Sequence, residues 1–182
     1  RDRVLYGLAQ SLEAQGRTVE AVHPLDEIAD TGGRDLVRAA LLRKGLLQQD
    51  TLFDPEGAGE SFAELIQRFP ATQEGKEAVL ELSRGSVMRG DLGSAEAALN
   101  ECLDKWKSQD RLLWIRAVKA LAEVKYYQGD FAASSRLLGE LRTIPQDAPE
   151  LQVPELNDAL KLMLLLSRSK DSPLLPGLAR SE

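Results

Sequence analysis

The sequence has 182 residues, with one cysteine, Cys102, one histidine, His23, and 5% aromatic residues. A single cysteine excludes an internal disulfide bond. With one histidine and one cysteine, no Cys and His cluster of zinc-site spacing exists either. A cysteine nucleophile needs its histidine within hydrogen-bond reach, and no pattern in the sequence indicates that these two residues meet. We interpret Cys102 as a small buried residue, because free cysteine is among the most buried residue types.

Other signatures of catalysis or membrane insertion are also missing. No apolar run approaches the 18 residues of a membrane-spanning helix, and the start does not resemble a signal peptide. Gly90-Asp91-Leu92-Gly93 lacks the lysine of a nucleotide-binding loop, and the acidic residues at 50–56 do not fit a calcium loop. The neighbouring carboxylates of Glu77 and Glu81 are interpreted as an exposed helix face. We therefore predict a non-enzymatic protein with no cofactor, no metal and no direct membrane insertion in this segment.

The charge balance narrows the choice of partners. The formal net charge of −6 disfavours nucleic acid and anionic membrane surfaces, which leaves a protein or peptide as the expected partner. A 43% share of hydrophobic residues is sufficient for a continuous core, and 29% charged residues cover a surface. Because the sequence begins at Arg1 and stops soon after a new apolar run, we interpret it as a segment of a longer protein.

A small residue followed four positions later by a large apolar residue recurs through the chain. The small residues are 37, 37 and 39 positions apart. Self-similarity at a fixed period of 20–50 residues is typical of repeat architectures. The four pairs are Ala21 and Leu25, Ala58 and Phe62, Ala95 and Leu99, and Ser134 and Leu138.

Apolar spacing of three and four residues predicts a helix on each side of these repeats. We predict four helix pairs, at about 2–30, 34–70, 73–107 and 110–145, followed at 146–182 by a connector, a further helix and the start of a truncated repeat. Pro24 is expected to kink or delay the second helix, and Thr18 to cap it. Asp54-Pro55-Glu56-Gly57 is interpreted as a turn that lengthens its hairpin by about six residues, with the next helix starting near Ala58.

The first helix of three pairs carries a small residue twelve positions before the small residue of the second helix, and a glycine follows it by seven. The small residues are Ala9, Ser83 and Ala122, and the glycines are Gly16, Gly90 and Gly129. This spacing over Asp2 to Pro145 resembles the tetratricopeptide repeat (TPR), with its pattern of W-x2-L-G-x2-Y, then A-x3-F, then Pro. The leading Trp is missing, and the period is longer than the usual 34 or so.

A narrower resemblance covers residues 62–72, Phe-Ala-Glu-Leu-Ile-Gln-Arg-Phe-Pro-Ala-Thr, followed by the Arg89-Gly90-Asp91 turn. This stretch is similar to repeats of bacterial cell-envelope proteins such as the Tol-Pal coordinator and the outer-membrane assembly lipoprotein. The resemblance as a whole implies an all-α fold, a right-handed α-solenoid of antiparallel helix-turn-helix repeats. It also implies a protein-binding scaffold, and it favours a periplasmic or cell-envelope location.

The resemblance implies that exposed residues of the first helices line a concave groove for a peptide or partner protein. By spacing, these groove residues are Arg3, Tyr6, Gln10, Glu77, Arg84, Met88, Arg116, Lys119, Glu123, Tyr126 and Tyr127. Two alternatives stay open: the tyrosines pack inside their hairpin and the basic residues form a solvated face, or the chain is a self-assembly module that pairs through terminal apolar faces. The chaperone-tail clamp of some TPR proteins is disfavoured because Glu123 stands where an Asn is needed.

Overall fold

The computed structural model describes residues 1–141 together with 158, 161, 162 and 164. The described part has eight helices and no strand: α1 (Asp2–Ala14), α2 (Thr18–Thr31), α3 (Arg34–Asp50), α4 (Pro55–Arg68), α5 (Gln73–Met88), α6 (Leu92–Gln109), α7 (Arg111–Tyr127) and α8 (Phe131–Leu141). The prediction of an all-α helical fold is therefore confirmed. The predicted connector, helix and truncated repeat at 146–182 lie outside the described residues, apart from those four isolated positions.

The chain divides into two compact units, an N-terminal unit of residues 1–85 and a C-terminal unit of residues 86–182. In the N-terminal unit α1 packs against α2, α2 against α3, and α3 against α4. In the C-terminal unit α7 packs against both α6 and α8. The finer division into four helix pairs stays a prediction.

All eight residues of the small-and-large repeat pattern are fully buried, which confirms that this pattern marks the core. The small member lets two helices approach closely, and the large member fills the space beside it. Burying one large apolar side chain contributes roughly 1.5–3 kcal/mol. In the C-terminal unit the hydroxyl of Ser134 also donates a hydrogen bond of 2.7 Å to the carbonyl of Ala122, the small residue twelve positions earlier.

The core of the N-terminal unit consists of two clusters, and each is completed by a helix from the following hairpin. The first cluster is formed by α1 and α2 with two residues of α3, Ala40 and Leu47. The second is formed mainly by α3 and α4 with Ala78 of α5. The α1–α2 hairpin is therefore covered on one side by α3, and the α3–α4 hairpin by α5.

Three hairpin turns depend on glycine at the predicted positions. Gly16, Gly90 and Gly129 have φ of +74°, +76° and +80°, a region that glycine enters without the Cβ clash of other residues. The N–H of Gly16 donates to the carbonyl of Glu13, and the N–H of Arg17 donates to that of Leu12. The same two bonds recur at the other two glycines, and together they form the Schellman ending of a helix.

The hairpin between α3 and α4 differs from the sequence prediction. Its connection has four residues, 51–54, against three, 15–17, between α1 and α2, so a lengthening of about six residues was wrong. The Asp-Pro-Glu-Gly stretch begins a helix: the carboxylate of Asp54 accepts a hydrogen bond of 3.0 Å from the N–H of Gly57, and Pro55 occupies the first turn. Aspartate followed by proline is common both in turns and at the start of a helix, so the composition alone does not distinguish the two.

The structure also corrects the prediction for α2. The helix begins at Thr18, its cap position is Arg17 without a side-chain hydrogen bond, and it continues through Pro24 to Thr31. Pro24 and the adjacent Leu25 are buried. Burial of this apolar side of α2 against its neighbours offsets the cost of the interior proline.

Candidate functional site

Three of the predicted groove residues lie on α1 in the N-terminal unit. Arg3 and Gln10 are exposed, whereas Tyr6 is half-buried and packs against the first hydrophobic cluster. Arg3 also lines an open pocket of about 380 Å³ together with Gly33, Arg34, Asp35 and Leu36. We call this site the α1/α3 pocket.

The pocket exists because the start of α3 is fixed beside the start of α1. The N–H of Gly33, the cap residue of α3, donates a hydrogen bond of 2.9 Å to the carboxylate of Asp2 in α1. Arg1 forms an ion pair with Glu27 near the end of α2. These two contacts tie the beginning of α1 to the α2–α3 connection, so that Arg3 and Arg34 face the same pocket.

The two arginines of the pocket carry positive charge that other residues do not neutralise. Within the described residues, neither Arg3 nor Arg34 forms an ion pair, whereas Asp35 is paired with Arg38 at 2.8 Å. Arg38 also lies 3.4 Å from the carboxylate of Glu74. The pocket is consequently a positively charged place on a protein whose net charge is −6.

Three arginines surround the ring of Phe69 beside the pocket. The guanidinium carbons of Arg34, Arg38 and Arg68 lie 5.8, 5.9 and 5.4 Å from the centroid of the Phe69 ring, within the range of cation–π attraction. Arg68 is also bonded to the carbonyl of Ala29 and paired with Glu64. Arg34 and this cluster were not predicted from the sequence. Only the i and i+4 spacing of Arg34 and Arg38 could have indicated a shared face.

Arg84, which was predicted as a groove residue, is engaged by two carboxylates. Its guanidinium nitrogens lie 2.8 Å from Asp50 of α3 and 2.7 Å from Glu81 of its own helix. Arg84 therefore cross-links α3 and α5. The interpretation of Glu81 as part of an exposed face is wrong for the same reason, because its side chain is only 14% exposed. Helical spacing within α5 could not indicate a carboxylate that comes from another helix.

Tyr126 cannot line a surface groove, because it is 2% exposed. Its ring packs against the rings of Tyr127 and Phe131, with both centroid distances 5.6 Å. The alternative that this tyrosine packs inside its hairpin is therefore right. Tyr126 lies on the buried side of α7, where the aromatic contact joins α7 to the start of α8.

The other predicted groove residues of the C-terminal unit differ in exposure and in charge pairing. Lys119 is paired with Glu123 at 2.9 Å, so its charge is largely balanced by the residue one turn later. Arg116 and Tyr127 are half-buried on α7. Met88 at the end of α5 is 59% exposed. This set offers less unbalanced charge than the α1/α3 pocket.

Cys102 and His23 are the two side chains that the sequence raised as a possible catalytic pair. Cys102 is half-buried, and burial, reinforced by the charge of Glu101, raises the pKa of its thiol. A raised pKa disfavours the thiolate, which is the nucleophilic form. His23 is exposed on α2. No group of three or more His, Cys, Asp or Glu side chains that could hold a metal occurs in the part of the chain that the structure describes.

The carboxyl group of Glu96 in α6 accepts hydrogen bonds from two residues at the end of α7. Hydrogen bonds from Lys125 and Gln128 to Glu96 lower the pKa of that carboxyl group. The donor distances are 2.5 Å from Lys125 and 2.8 Å from Gln128, and these two hydrogen bonds join α6 to the end of α7.

Among the helices described above, none is both long and apolar enough to cross a membrane.

Comparison with known proteins identifies the class of this fold. Residues 39–72, which cover most of α3 and all of α4, match the family described as tetratricopeptide repeat. A crystal structure of a variant of the nearly identical TPR-like repeats assigned to a kinesin light chain of Podosopora anserina has a TM-score of 0.72 at 15% identity. That match covers 98% of this chain and 92% of the other. A second structure of such repeats has a TM-score of 0.62 at 15% identity, covering 93% and 96%.

The chain is therefore a helical-repeat protein with a TPR-like fold, and the resemblance inferred from its spacing is confirmed. A search by sequence among curated proteins finds no match. The bacterial cell-envelope subtype stays a prediction.

Proposed function

We propose that this protein is a non-enzymatic scaffold for protein–protein interaction and that its N-terminal unit binds an acidic segment of a partner at the α1/α3 pocket. The TPR-like fold supports the scaffold, since helical repeats present extended surfaces suited to peptides and partner helices. Burial raises the pKa of the Cys102 thiol, which argues against this thiol as a nucleophile.

The observation that carries the proposal is the pair of unneutralised guanidinium groups at one open pocket. Arg3 and Arg34 come from different helices and both line it. Guanidinium groups bind carboxylates through two parallel N–H bonds, which gives geometric selectivity as well as attraction. Leu36 adds an apolar contact at the same place. An Asp or Glu side chain beside an apolar residue is the partner chemistry that fits.

Tyr6 and Gln10 extend the proposed binding surface along α1. They follow Arg3 by three and seven positions, a spacing that places all three on one helix face. Arg and Tyr are enriched among the residues that dominate binding energy at interfaces. We assign Arg3 and Arg34 to charge recognition, and Tyr6 and Gln10 to contacts with the flanking residues of the bound segment.

The remaining predicted groove residues are assigned a secondary role. Arg116, Lys119, Tyr127 and Met88 in the C-terminal unit form a proposed second contact surface of lower charge, because Lys119 is paired with Glu123. The similarity of residues 62–72 to cell-envelope repeats supports a partner from the bacterial envelope.

The alternative function is a self-assembly module that joins copies or extends a larger complex through apolar faces. One observation favours it: Val4 and Leu8 of α1 are 74% and 48% exposed. Large apolar residues exposed together on one helix commonly mark an interaction surface.

A peptide-display selection tests the proposed function directly. The unmodified protein is used to select binders from a random library, and the same library is screened with the Arg3→Glu/Arg34→Glu protein. We expect binders enriched in Asp and Glu that the charge-reversed protein fails to retain. Arg111→Glu/Arg136→Glu is the matched control, because both residues are exposed and lie outside the pocket. Binders without acidic enrichment, or no binders at all, would contradict the proposal.

A further inference from the structure

The connection between α3 and α4 presents one aromatic and two acidic side chains to solvent. We call its residues 53–56, which are Phe53, Asp54, Pro55 and Glu56, the α3–α4 tip. Phe53 is 79% exposed, and Asp54 and Glu56 are exposed as well. Within the described residues neither carboxylate forms an ion pair. Asp54 accepts a hydrogen bond from the N–H of Gly57, and a carboxylate has room for further donors.

Phe53 has a backbone conformation that glycine adopts more easily. Its φ is +54°, and it stands two positions before its helix, where the other three short hairpin turns have Gly16, Gly90 and Gly129. The ring gains no burial in this chain in return for the strained backbone. Residues held in this way are common at binding sites, so the exposed ring at this turn points to a contact with another molecule.

The α3–α4 tip has the chemistry that the α1/α3 pocket is proposed to bind. The pocket offers the guanidinium groups of Arg3 and Arg34 beside Leu36, and the tip offers two carboxylates beside an aromatic ring. Guanidinium groups bind carboxylates through parallel N–H bonds. They are also attracted to aromatic rings, as the 5.8 Å between Arg34 and the ring centroid of Phe69 shows within this chain.

A second exposed neighbour pair of the N-terminal unit, Val19 and Glu20, lacks this complementarity. Val19 is 74% exposed, but the carboxylate of Glu20 is paired with Arg17 of the same turn. Its charge is therefore already balanced, whereas the carboxylates of the tip are available to the cations of a pocket.

The tip of a molecule cannot reach the pocket of the same molecule. The pocket lies at the start of α3, at Arg34, and the tip follows the end of α3, at Asp50. A helix of 17 residues separates them by about 25 Å. The N–H of Leu52 donates to the carbonyl of Leu47, and the N–H of Asp54 donates to that of Gln48, so the tip is held at the far end of α3.

We propose that the α3–α4 tip of one molecule docks in the α1/α3 pocket of a second copy of this chain. The inference rests on the proposed function, because it names the acidic segment that the pocket takes. Since tip and pocket lie at opposite ends of α3, the contact is head-to-tail. Each pair of molecules keeps one free tip and one free pocket, so further copies can add in the same way. This contact is separate from self-assembly through the apolar residues of α1.

Sedimentation equilibrium of the full chain tests the proposal with two variants. Arg3→Glu/Arg34→Glu reverses the charge of the pocket. Phe53→Gly/Glu56→Gln removes the ring and one carboxylate of the tip, while Asp54 still caps α4. Because glycine fits the left-handed backbone at position 53, this variant keeps its fold, which thermal unfolding checks.

We expect the average mass of the unmodified chain to rise with concentration up to about 1 mM, since one turn in one pocket is a small interface. Each variant alone should associate at least about tenfold more weakly. An equimolar mixture of the two variants should form a 1:1 complex and nothing larger, because each pair then has one intact pocket and one intact tip. Val19→Ala/Asp104→Asn is the control, since it removes an exposed apolar side chain and a carboxylate elsewhere, and it should associate like the unmodified chain.

Three results would overturn the inference: a chain that is monomeric at every concentration, variants that associate as strongly as the unmodified chain, or a mixture without the 1:1 complex. The peptide-display selection decides the proposed function separately. If acidic peptides bind the pocket while the chain stays monomeric, the pocket takes another acidic segment, and only the docking of the tip is wrong. If the selection yields no acidic peptides, the proposed function itself is contradicted.

Discussion

Gly45 of α3 lies directly against the ring of Phe62 in α4. A Cβ built on Gly45 would stand 2.5 Å from Cε1 of Phe62 and 2.8 Å from both Cδ1 and Cζ, closer than real Cβ contacts allow. Phe62 is fully buried, so its ring cannot swing into solvent without emptying the core. The absence of a side chain at Gly45 is what allows these two helices to approach so closely.

Gly45→Ala is expected to destabilise the protein. The new methyl group overpacks the contact with Phe62, which costs about 1–3 kcal/mol, while the better helix propensity of alanine returns up to about 1 kcal/mol. We expect a net loss of about 1–2 kcal/mol in the free energy of unfolding, measured by urea denaturation. Gly7→Ala is the matched control: Gly7 lies inside α1 with no atom within 4 Å of its added Cβ. It should gain about 0.5–1 kcal/mol, and a similar gain for Gly45→Ala would contradict the contact.

Phe53 stands where the other hairpins have glycine. Its φ is +54°, it precedes the first residue of its helix by two positions as Gly16, Gly90 and Gly129 do, and its side chain is 79% exposed. A side chain in this left-handed region is strained by roughly 1–2 kcal/mol.

Phe53→Gly is accordingly expected to raise the free energy of unfolding by about 1 kcal/mol, after allowance for the greater freedom of glycine in the unfolded chain. Phe53→Ala removes the exposed ring but keeps the strained backbone, so it should give no such gain. Thermal unfolding of both variants distinguishes the two effects. Equal stabilisation by glycine and alanine would show that the exposed ring, and not the left-handed backbone, lowers the stability of the protein.

Acid should weaken the contact of Glu96 with Lys125 and Gln128. Because these donors lower the pKa of Glu96 in the folded state, its stabilising contribution is complete above the unfolded pKa of about 4.3 and is lost as the pH falls through the lower folded value. The stability difference between the unmodified protein and Glu96→Gln should therefore shrink below about pH 4.3.

Chemical denaturation at pH 7 and at pH 3 measures this difference. Lys125→Met provides a second test. Because this variant lacks the ammonium group that bonds to Glu96, it should lose less stability between pH 7 and pH 3 than the unmodified protein does. A difference between the unmodified protein and Glu96→Gln that is the same at both pH values would contradict the role of this carboxylate.

The sequence was sufficient to predict the all-α helical class, because that class depends on local regularities. Apolar spacing defines a helix face, and glycine in a tight hairpin turn is required by backbone sterics, as Gly16, Gly90 and Gly129 show. The α3–α4 turn was mispredicted for the same local reason. Asp54 and Pro55 have the composition of a turn, and only their hydrogen bonds show that they begin a helix.

The candidate site was less predictable, because it depends on which helices meet. Arg84 was predicted as a groove residue, and its spacing gave no sign that a carboxylate from another helix, Asp50, pairs with it. The family resemblance placed Tyr126 on the groove side, while the structure shows that it is buried and that its ring contacts Phe131 of α8. Arg34 joins Arg3 only because the α2–α3 connection is held beside α1. Such contacts between helices cannot be inferred from the periodicity of one helix.

The function proposed for Arg3 and Arg34 is the recognition of an acidic segment of a partner protein. The most direct measurement is the dissociation constant of a selected acidic peptide, by fluorescence anisotropy, for the unmodified protein, for Arg3→Glu/Arg34→Glu and for the control Arg111→Glu/Arg136→Glu. We predict at least about tenfold weaker binding for the first variant, equivalent to roughly 1.4 kcal/mol, and less than about a twofold change for the control. Equal affinity for all three proteins, or equal weakening by both charge reversals, would contradict the assignment of the α1/α3 pocket as the binding site.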